Sequence, residues 1–220
     1  MKYYLLSNAT DEKEIGKTYP QCKGVPNGYT FAWYDEPDSM TNLINKEFPK
    51  NNPNLIFELE EKAILTDVVS PSNISARGIL MNERALNIIN KKKILNNEIY
   101  SGELKKGNEK FKYYWLHLVH DNFDNIDFIN SNFIETNLFR HKVSDLKIEN
   151  EYQFKIEFEK CLKRSNIISV ERLKLKTTFN YDLFFFPKIH SDLIVSEVLL
   201  NKLESENITG ITSKPADFLN

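Results

Sequence analysis

The sequence is poor in the residues on which many catalytic and metal-binding motifs depend. Its 220 residues include only seven glycines and two cysteines. There is no glycine-rich phosphate loop and no G-x-S-x-G nucleophile elbow. Cys22 and Cys161 lie far apart without C-x-x-C spacing, which favours two unpaired thiols in a reducing compartment over a disulfide framework. The motifs therefore give little evidence for an enzyme, and none of them predicts a cofactor.

Long apolar runs and a strong charge excess are also missing. No run approaches the length of a membrane span, and residues 2–6 are too short an apolar stretch for a secretion signal. The formal net charge of −2 argues against a general nucleic-acid binder. Hydrophobic residues at 41% and charged residues at 27% are typical of a folded globular chain. We expect a cytoplasmic protein that contacts neither membranes nor nucleic acids directly.

The hydrophobic patterning predicts an α+β fold, with a mostly antiparallel sheet and about three packed helices. Helices are expected after Asn82, over 151–164 and after Ser196, because each start is polar or acidic. The expected strands are residues 2–6, 29–33, 55–59, 63–69, 99–104, 111–118, 170–179 and 182–186. The chain is expected to form a single domain over 1–220, or two interlocked halves of about 1–140 and 141–220.

Several connections can be predicted from the same patterns. Residues 55–59 and 63–69 are expected to form a hairpin or meander, and residues 105–109 read as a second hairpin turn. Residues 8–27, rich in turn-forming and charged residues, read as a long surface loop. Residues 121–137 are expected to form short strands or irregular loops.

One pattern occurs twice. Residues 79–89 align with residues 193–203, and Asn82 and Ser196 fall at the same position, one residue before a glutamate. Each segment predicts a helix with a polar cap, followed by a turn and a strand. Either the unit is duplicated, or two amphipathic helices with polar caps simply look alike.

Two groups of side chains suggest metal binding but fit it poorly. His117 and His120 are three apart on a predicted strand, so their side chains point to opposite faces. Asp121, Asp124 and Asp127 lack the spacing and the glycine of a calcium loop. We expect no metal site, although a small metal-dependent hydrolase using His117 and His120 stays open as an alternative function.

Two surface features suggest docking. Arg172, Lys174 and Lys176 form a basic stripe, which fits an acidic partner, a phosphate backbone or a plain solvent face. An acidic aromatic turn follows residues 29–33. Aromatic side chains supply contact area and carboxylates supply steering, so this turn is our candidate partner-binding patch, with core aromatics as the alternative. Its proposed members are Trp33, Tyr34, Asp35, Glu36 and Asp38.

A family resemblance spans most of the chain. It lies in residues 1–7, in residues 63–69 followed by 78–83, and in residues 182–184 with 194–197 and 208–211. In this order they resemble bacterial immunity proteins of polymorphic toxin systems, namely the family catalogued as DUF1629 and its relative, immunity protein 43. These motifs are structural and include no catalytic residue.

The resemblance implies a non-enzymatic cytosolic protein that binds and neutralises a cognate protein toxin. Many such toxins are nucleases with basic clefts, which an acidic aromatic loop would complement in charge. A structural, self-associating module is a further alternative. The oligomeric state does not follow from the sequence.

Overall fold

The computed structural model describes residues 2–30, 35–36, 38–40, 43–72, 74–120, 123–186 and 188–219, except for the side chain of residue 191. The described residues form four helices: α1 (Glu12–Ile15), α2 (Glu83–Ile89), α3 (Glu151–Lys163) and α4 (Glu197–Ser205). They also form twelve strands: β1 (Tyr3–Asn8), β2 (Leu55–Glu58), β3 (Val68–Val69), β4 (Gly78–Met81), β5 (Asn97–Lys106), β6 (Glu109–Leu118), β7 (Asn132–Thr136), β8 (Lys142–Leu146), β9 (Ile167–Arg172), β10 (Leu183–Phe186), β11 (His190–Ser196) and β12 (Ile211–Pro215). The predicted α+β class is confirmed.

The strands assemble into three sheets, in the orders β10-β11-β1-β12, β2-β5-β6-β4-β3 and β8-β7-β9. Every named pair is antiparallel except β2 with β5. The first predicted strand, residues 2–6, corresponds to β1, which lies between β11 and β12. None of the described helices is both long and apolar enough to cross a membrane.

The four-stranded and five-stranded sheets share one topology. In the first, β11, α4 and β12 follow one another in the chain, and β1 is inserted antiparallel between the two strands. In the second, β4, α2 and β5 follow one another, and β6 is inserted in the same way. β10 flanks β11 as β3 flanks β4. We call these the second and first split units; the correspondence between the two helical segments thus extends to their sheets.

The helices of the two units contact each other, and both units contribute to a single hydrophobic core. Asn82 and Ser196 are the N-caps of α2 and α4, as predicted, and their side chains accept hydrogen bonds from Ala85 N and Leu199 N. The two amphipathic helices bury their apolar faces against one another and against both sheets, which is the main reason for their stability. The division of the chain near residue 140 stays a prediction.

Asp67, just before β3, links the two units. Its carboxylate accepts hydrogen bonds from the Asn82 side chain at 2.8 Å and from Thr209 N at 2.9 Å. Its carbonyl oxygen accepts from Asn82 N. Asp67 therefore binds the cap of its own helix and also the segment that follows α4.

Asp182, just before β10, makes the reciprocal link. Its carboxylate accepts from Ser196 Oγ at 2.6 Å and from Lys93 N at 3.1 Å, and its carbonyl oxygen accepts from Ser196 N. It thus binds the cap of α4 and the segment that follows α2. The two aspartates connect the units in a crossed arrangement.

The third sheet packs on α3 and encloses an aromatic cluster. Phe154 of α3 is fully buried and contacts Phe123 and Phe133, with ring centroids 4.8 Å and 5.8 Å apart. The predicted helix over 151–164 is confirmed, and Asn150 caps it by accepting from Gln153 N at 2.9 Å. As predicted, residues 123–137 are irregular apart from β7.

The predicted hairpin or meander of residues 55–59 and 63–69 is wrong. β2 and β3 lie at opposite edges of the five-stranded sheet, and β2 pairs parallel with β5. Instead of pairing with each other, Leu59 and Ala63 form isolated bridges to Cys22 and Gly16. A non-local pairing of this kind leaves no signal in local alternation. The second hairpin, β5 to β6, is confirmed.

The segment 8–27 is more than a surface loop. It contains α1, a fourth helix beyond the three predicted, and Ile15, Gln21 and Cys22 are buried. The Gln21 amide donates to Ile64 O at 2.8 Å. This segment covers the chain between β2 and β3, and for that reason its apolar side chains point inward.

Two further strand predictions need revision. The strand predicted over 170–179 ends at Arg172, because Lys174 N donates to Ser131 Oγ and Lys176 N donates to Asn125 O instead of continuing a ladder. The basic side chains at 172, 174 and 176 are nevertheless exposed, as predicted. In the predicted strand 29–33, residues 29 and 30 are not in a strand, and residues 31–33 lie outside the described part of the chain.

Candidate functional site

The acidic aromatic turn is only partly within the described chain, since Trp33 and Tyr34 lie outside it. Asp35 and Glu36 are exposed, and Asp38 is half-buried. The Asp38 carbonyl oxygen accepts from Asn54 N at 2.7 Å, which fixes this end of the turn beside the start of β2. Two of the predicted carboxylates therefore reach solvent near one edge of the five-stranded sheet.

His117 and His120 have separate surroundings. The His117 ring is fully buried against Phe48, and its Nε2 lies 2.7 Å from Ile44 O. Burial lowers the pKa of His117, and the contact with Ile44 O opposes that shift. The His120 ring lies 5.9 Å and 5.8 Å from the rings of Phe185 and Phe186. Among the described residues, no group of three or more His, Cys, Asp or Glu side chains is placed to hold a metal ion.

The two cysteines are free and buried, which confirms that they are unpaired with each other. Burial, together with the Glu60 carboxylate, raises the pKa of Cys22 to about 12. Burial also raises the pKa of Cys161, as does Glu135, against the opposing effect of Arg164. Both cysteines belong to the hydrophobic core. Because their pKa values are raised, both thiols are poor nucleophiles at neutral pH.

A turn between β7 and β8 exposes two large apolar side chains. Leu138 and Phe139 are 71% and 83% exposed. We call this pair the apolar tip. The side-chain oxygen of Asn137 accepts from Phe139 N at 2.9 Å and from His141 N at 3.0 Å. Arg140 adopts the left-handed conformation, with φ 63°. Hydrogen bonds within the turn thus hold the apolar tip in solvent.

A cavity of about 510 Å³ opens where the three sheets meet. Its apolar wall comes from α3, β9, β10, the connection that follows β10 and the segment between β6 and β7. The apolar side chains that line it are Phe123, Phe158, Leu162, Ile167, Ile168, Phe185 and Ile189. Its polar lining comes from elements remote in sequence and consists of Asn45, Lys46, Arg77, His120, Arg140, Ser169, Lys188 and His190.

The cavity lining is strongly cationic. It includes Lys46, Arg77, Arg140 and Lys188, while none of its described lining residues is acidic. These four side chains form no ion pair with any described residue. Lys188 Nζ instead lies 4.8 Å from the centroid of the Phe158 ring. Positive charges beside an apolar wall create a positive potential in the cavity.

The positive potential of the cavity affects the pKa of His190. Burial lowers the pKa of its imidazole, the Asp192 carboxylate opposes the shift, and Lys214, Arg140 and Arg77 lower the pKa further. The Asp192 carboxylate lies 3.9 Å from Nδ1 of His190. Arg77 and Arg140 therefore both act electrostatically on His190, which lines the same cavity.

Neither the apolar tip nor the cavity was among the sites predicted from sequence. The tip lies near residue 140, where only a boundary between two halves of the chain was considered. An apolar pair between polar residues in a short connection was the available signal. The cavity left no comparable signal, because its cations come from four separate segments.

No model of a known protein family matches the chain, and no curated protein matches it either.

Proposed function

We propose that this protein is a non-enzymatic immunity protein that binds a cognate bacterial toxin and neutralises it by protein–protein contact. The observation that carries the proposal is the apolar tip, Leu138 and Phe139. Large apolar side chains held in solvent are typical of interaction sites, and a partner that covered them would gain their burial. The resemblance to immunity proteins supplies the class of partner.

The tip suits binding because its conformation is already set before a partner arrives. The hydrogen bonds around Asn137 restrict the turn, so little conformational entropy remains to be lost on association. Aromatic residues such as Phe139 are enriched in the buried cores of protein interfaces.

The acidic aromatic turn remains a second candidate contact. Asp35 and Glu36 are exposed and therefore suited to steering a basic partner. In this proposal the protein acts in the cytoplasm, where its two buried thiols stay reduced, and it contacts its toxin rather than nucleic acid or membrane. Trp33 and Tyr34 would supply contact area, with Asp38 at the edge of the patch.

The direct test is co-purification of the tagged protein with the product of the adjacent gene in its genome. We expect a stable stoichiometric complex with the wild-type protein. The double substitution Leu138→Ser/Phe139→Ser should weaken affinity by at least about tenfold, because it truncates two anchor side chains. Ile129→Ser is the matched control, since Ile129 is 78% exposed but lies outside the tip.

Three outcomes distinguish the contacts. An effect confined to the tip variant supports the apolar tip as the anchor. An effect confined to Trp33→Ala/Tyr34→Ala, with a correctly folded tip variant unaffected, assigns binding to the acidic aromatic turn and removes the tip from the interface. The absence of any complex with the wild-type protein contradicts the proposed function.

A further inference from the structure

The cavity where the three sheets meet has the dimensions of a small-molecule site. Pockets for small ligands span roughly 300–1,000 Å³ and join an apolar lining to a few convergent polar groups. The present cavity, at about 510 Å³, combines the apolar wall from α3, β9 and β10 with a set of cations. Such a combination suits a ligand that is apolar at one end and anionic at the other.

The number of cations in the lining favours a phosphate over a carboxylate as the anionic group of the ligand. Arg77, Arg140, Lys46 and Lys188 line the cavity, and no described lining residue offers a carboxylate to balance them. One carboxylate ligand would neutralise one of these four charges, whereas a phosphate monoester carries close to two negative charges at neutral pH. Guanidinium groups also bind phosphate oxygens through paired hydrogen bonds.

The apolar wall identifies the other end of the ligand. Phe158 lies under Lys188 Nζ, and Leu162, further along α3, lines the same cavity and is 48% exposed. Aromatic rings prefer offset or edge-to-face contacts with a second ring, which adds to the free energy of burial. A ligand with a ring would use this wall, while inorganic phosphate would use only the cations.

We infer that the cavity binds a small phosphate monoester with a ring-containing apolar body, the phosphate facing Arg77 and Arg140 and the body packing on Phe158 and Leu162. This inference does not depend on the proposed toxin partner. The two sites adjoin, however, because Arg140 directly follows Phe139 of the apolar tip.

Calorimetric titration of the full-length protein with phenyl phosphate tests the inference. Inorganic phosphate and benzyl alcohol serve as the charge-only and ring-only controls. We expect phenyl phosphate to bind at least about tenfold more tightly than either control, because only it uses both parts of the cavity. Absence of binding, or equal binding of inorganic phosphate as an adventitious ion only, would overturn the inference.

Variants locate the binding. Arg77→Gln/Arg140→Gln should weaken phenyl phosphate binding by at least about tenfold, since two charge-assisted contacts are lost. Arg172→Gln/Lys174→Gln removes the same charge from exposed positions that do not line the cavity and should change the affinity less than about twofold. If both double variants weaken binding equally, the effect is one of net charge and the assigned site is wrong.

The pKa of His190, followed by NMR, gives a readout independent of the variants. A bound phosphate dianion opposes the effect of Arg77 and Arg140 on the imidazole, so the pKa should rise when phenyl phosphate saturates the protein. The neutral benzyl alcohol should leave it unchanged. Binding of phenyl phosphate with no rise in the pKa of His190 would place the ligand elsewhere and contradict the inference.

Discussion

The two split units share a topology but differ in how firmly their aspartates are held. The Asp67 carboxylate is buried and accepts from Asn82, from Thr209 N and Oγ1, and from Arg84. The Asp182 carboxylate is half-buried and accepts from Ser196 Oγ and Lys93 N. Two aspartates at corresponding positions of a repeated topology can therefore contribute differently to stability. The difference depends on how deeply each is buried and on how many donors would lose their acceptor if it were replaced.

A second contrast separates the split units from the third sheet. The split units match each other around a shared core. The apolar tip belongs to the third sheet, and the cavity forms where that sheet meets the other two. These features have no counterpart in the repeated part, and the proposed binding functions reside there.

The largest predicted difference concerns the aspartates themselves. Asp67→Ala should reduce the free energy of unfolding by about 4 kcal/mol, because it leaves a buried network of donors without its acceptor. Asp182→Ala should cost about 1–2 kcal/mol, since water can replace part of what is lost. Urea denaturation measures both values. Equal losses of unfolding free energy would show that Asp67 and Asp182 contribute equally to stability, contrary to the difference inferred from their burial and hydrogen bonds.

A smaller effect is expected at Gly210, between α4 and β12. Its φ is +86°, and a Cβ there would overlap the carbonyl oxygen of Val68. Gly210→Ala should therefore cost about 3 kcal/mol, from backbone strain and overlap together. Gly107→Ala is the control, because Gly107 also has positive φ but open space around it, and it should cost only about 1 kcal/mol. A similar loss at both glycines would exclude the close approach of Gly210 to Val68.

The smallest predicted effect is a pH dependence that belongs to Asp67. Burial raises the pKa of this carboxyl, but hydrogen bonds from Thr209 and Asn82 and the charge of Arg84 outweigh burial and leave the pKa below its ordinary value of 3.8. The stabilising contribution is therefore complete above pH 3.8 and is lost as the pH falls through the lowered value.

Asp67→Asn isolates this contribution. The difference in unfolding free energy between wild type and variant should shrink as the pH falls below 3.8, because the carboxylate becomes protonated. Denaturation curves at a series of pH values measure the difference. A difference that stays constant in acid would mean that the charge on Asp67 contributes nothing.

The sequence was informative where the determinants are local. Asn82, Ser196 and the apolar periodicity behind them identified α2 and α4, because a cap acts within one turn of its helix. The parallel pairing of β2 with β5, by contrast, joins residues 47 positions apart, such as Leu55 and Gly102. Leu59 forms its bridge with Cys22, in a segment that precedes β2. Such contacts depend on the whole fold.

The candidate sites differ in the same way, since one is contiguous in sequence and the other is not. The apolar tip is contiguous in sequence, so its composition was visible although its exposure was not. The cavity brings Lys46, Arg77, Arg140 and Lys188 together only through the meeting of three sheets. Asp67 and Asp182 were recognisable within family-like segments, but their crossed partners, Thr209 and Lys93, required the tertiary structure.

Growth rescue tests the central claim most directly. Cells that express the product of the adjacent gene would be supplied with wild-type protein, Leu138→Ser/Phe139→Ser or Ile129→Ser at equal levels. The proposal predicts full protection by wild type and by Ile129→Ser, and loss of protection by the tip variant. Toxicity that persists with abundant, folded wild-type protein would contradict the immunity function, and full protection by the tip variant would contradict the assignment of the apolar tip.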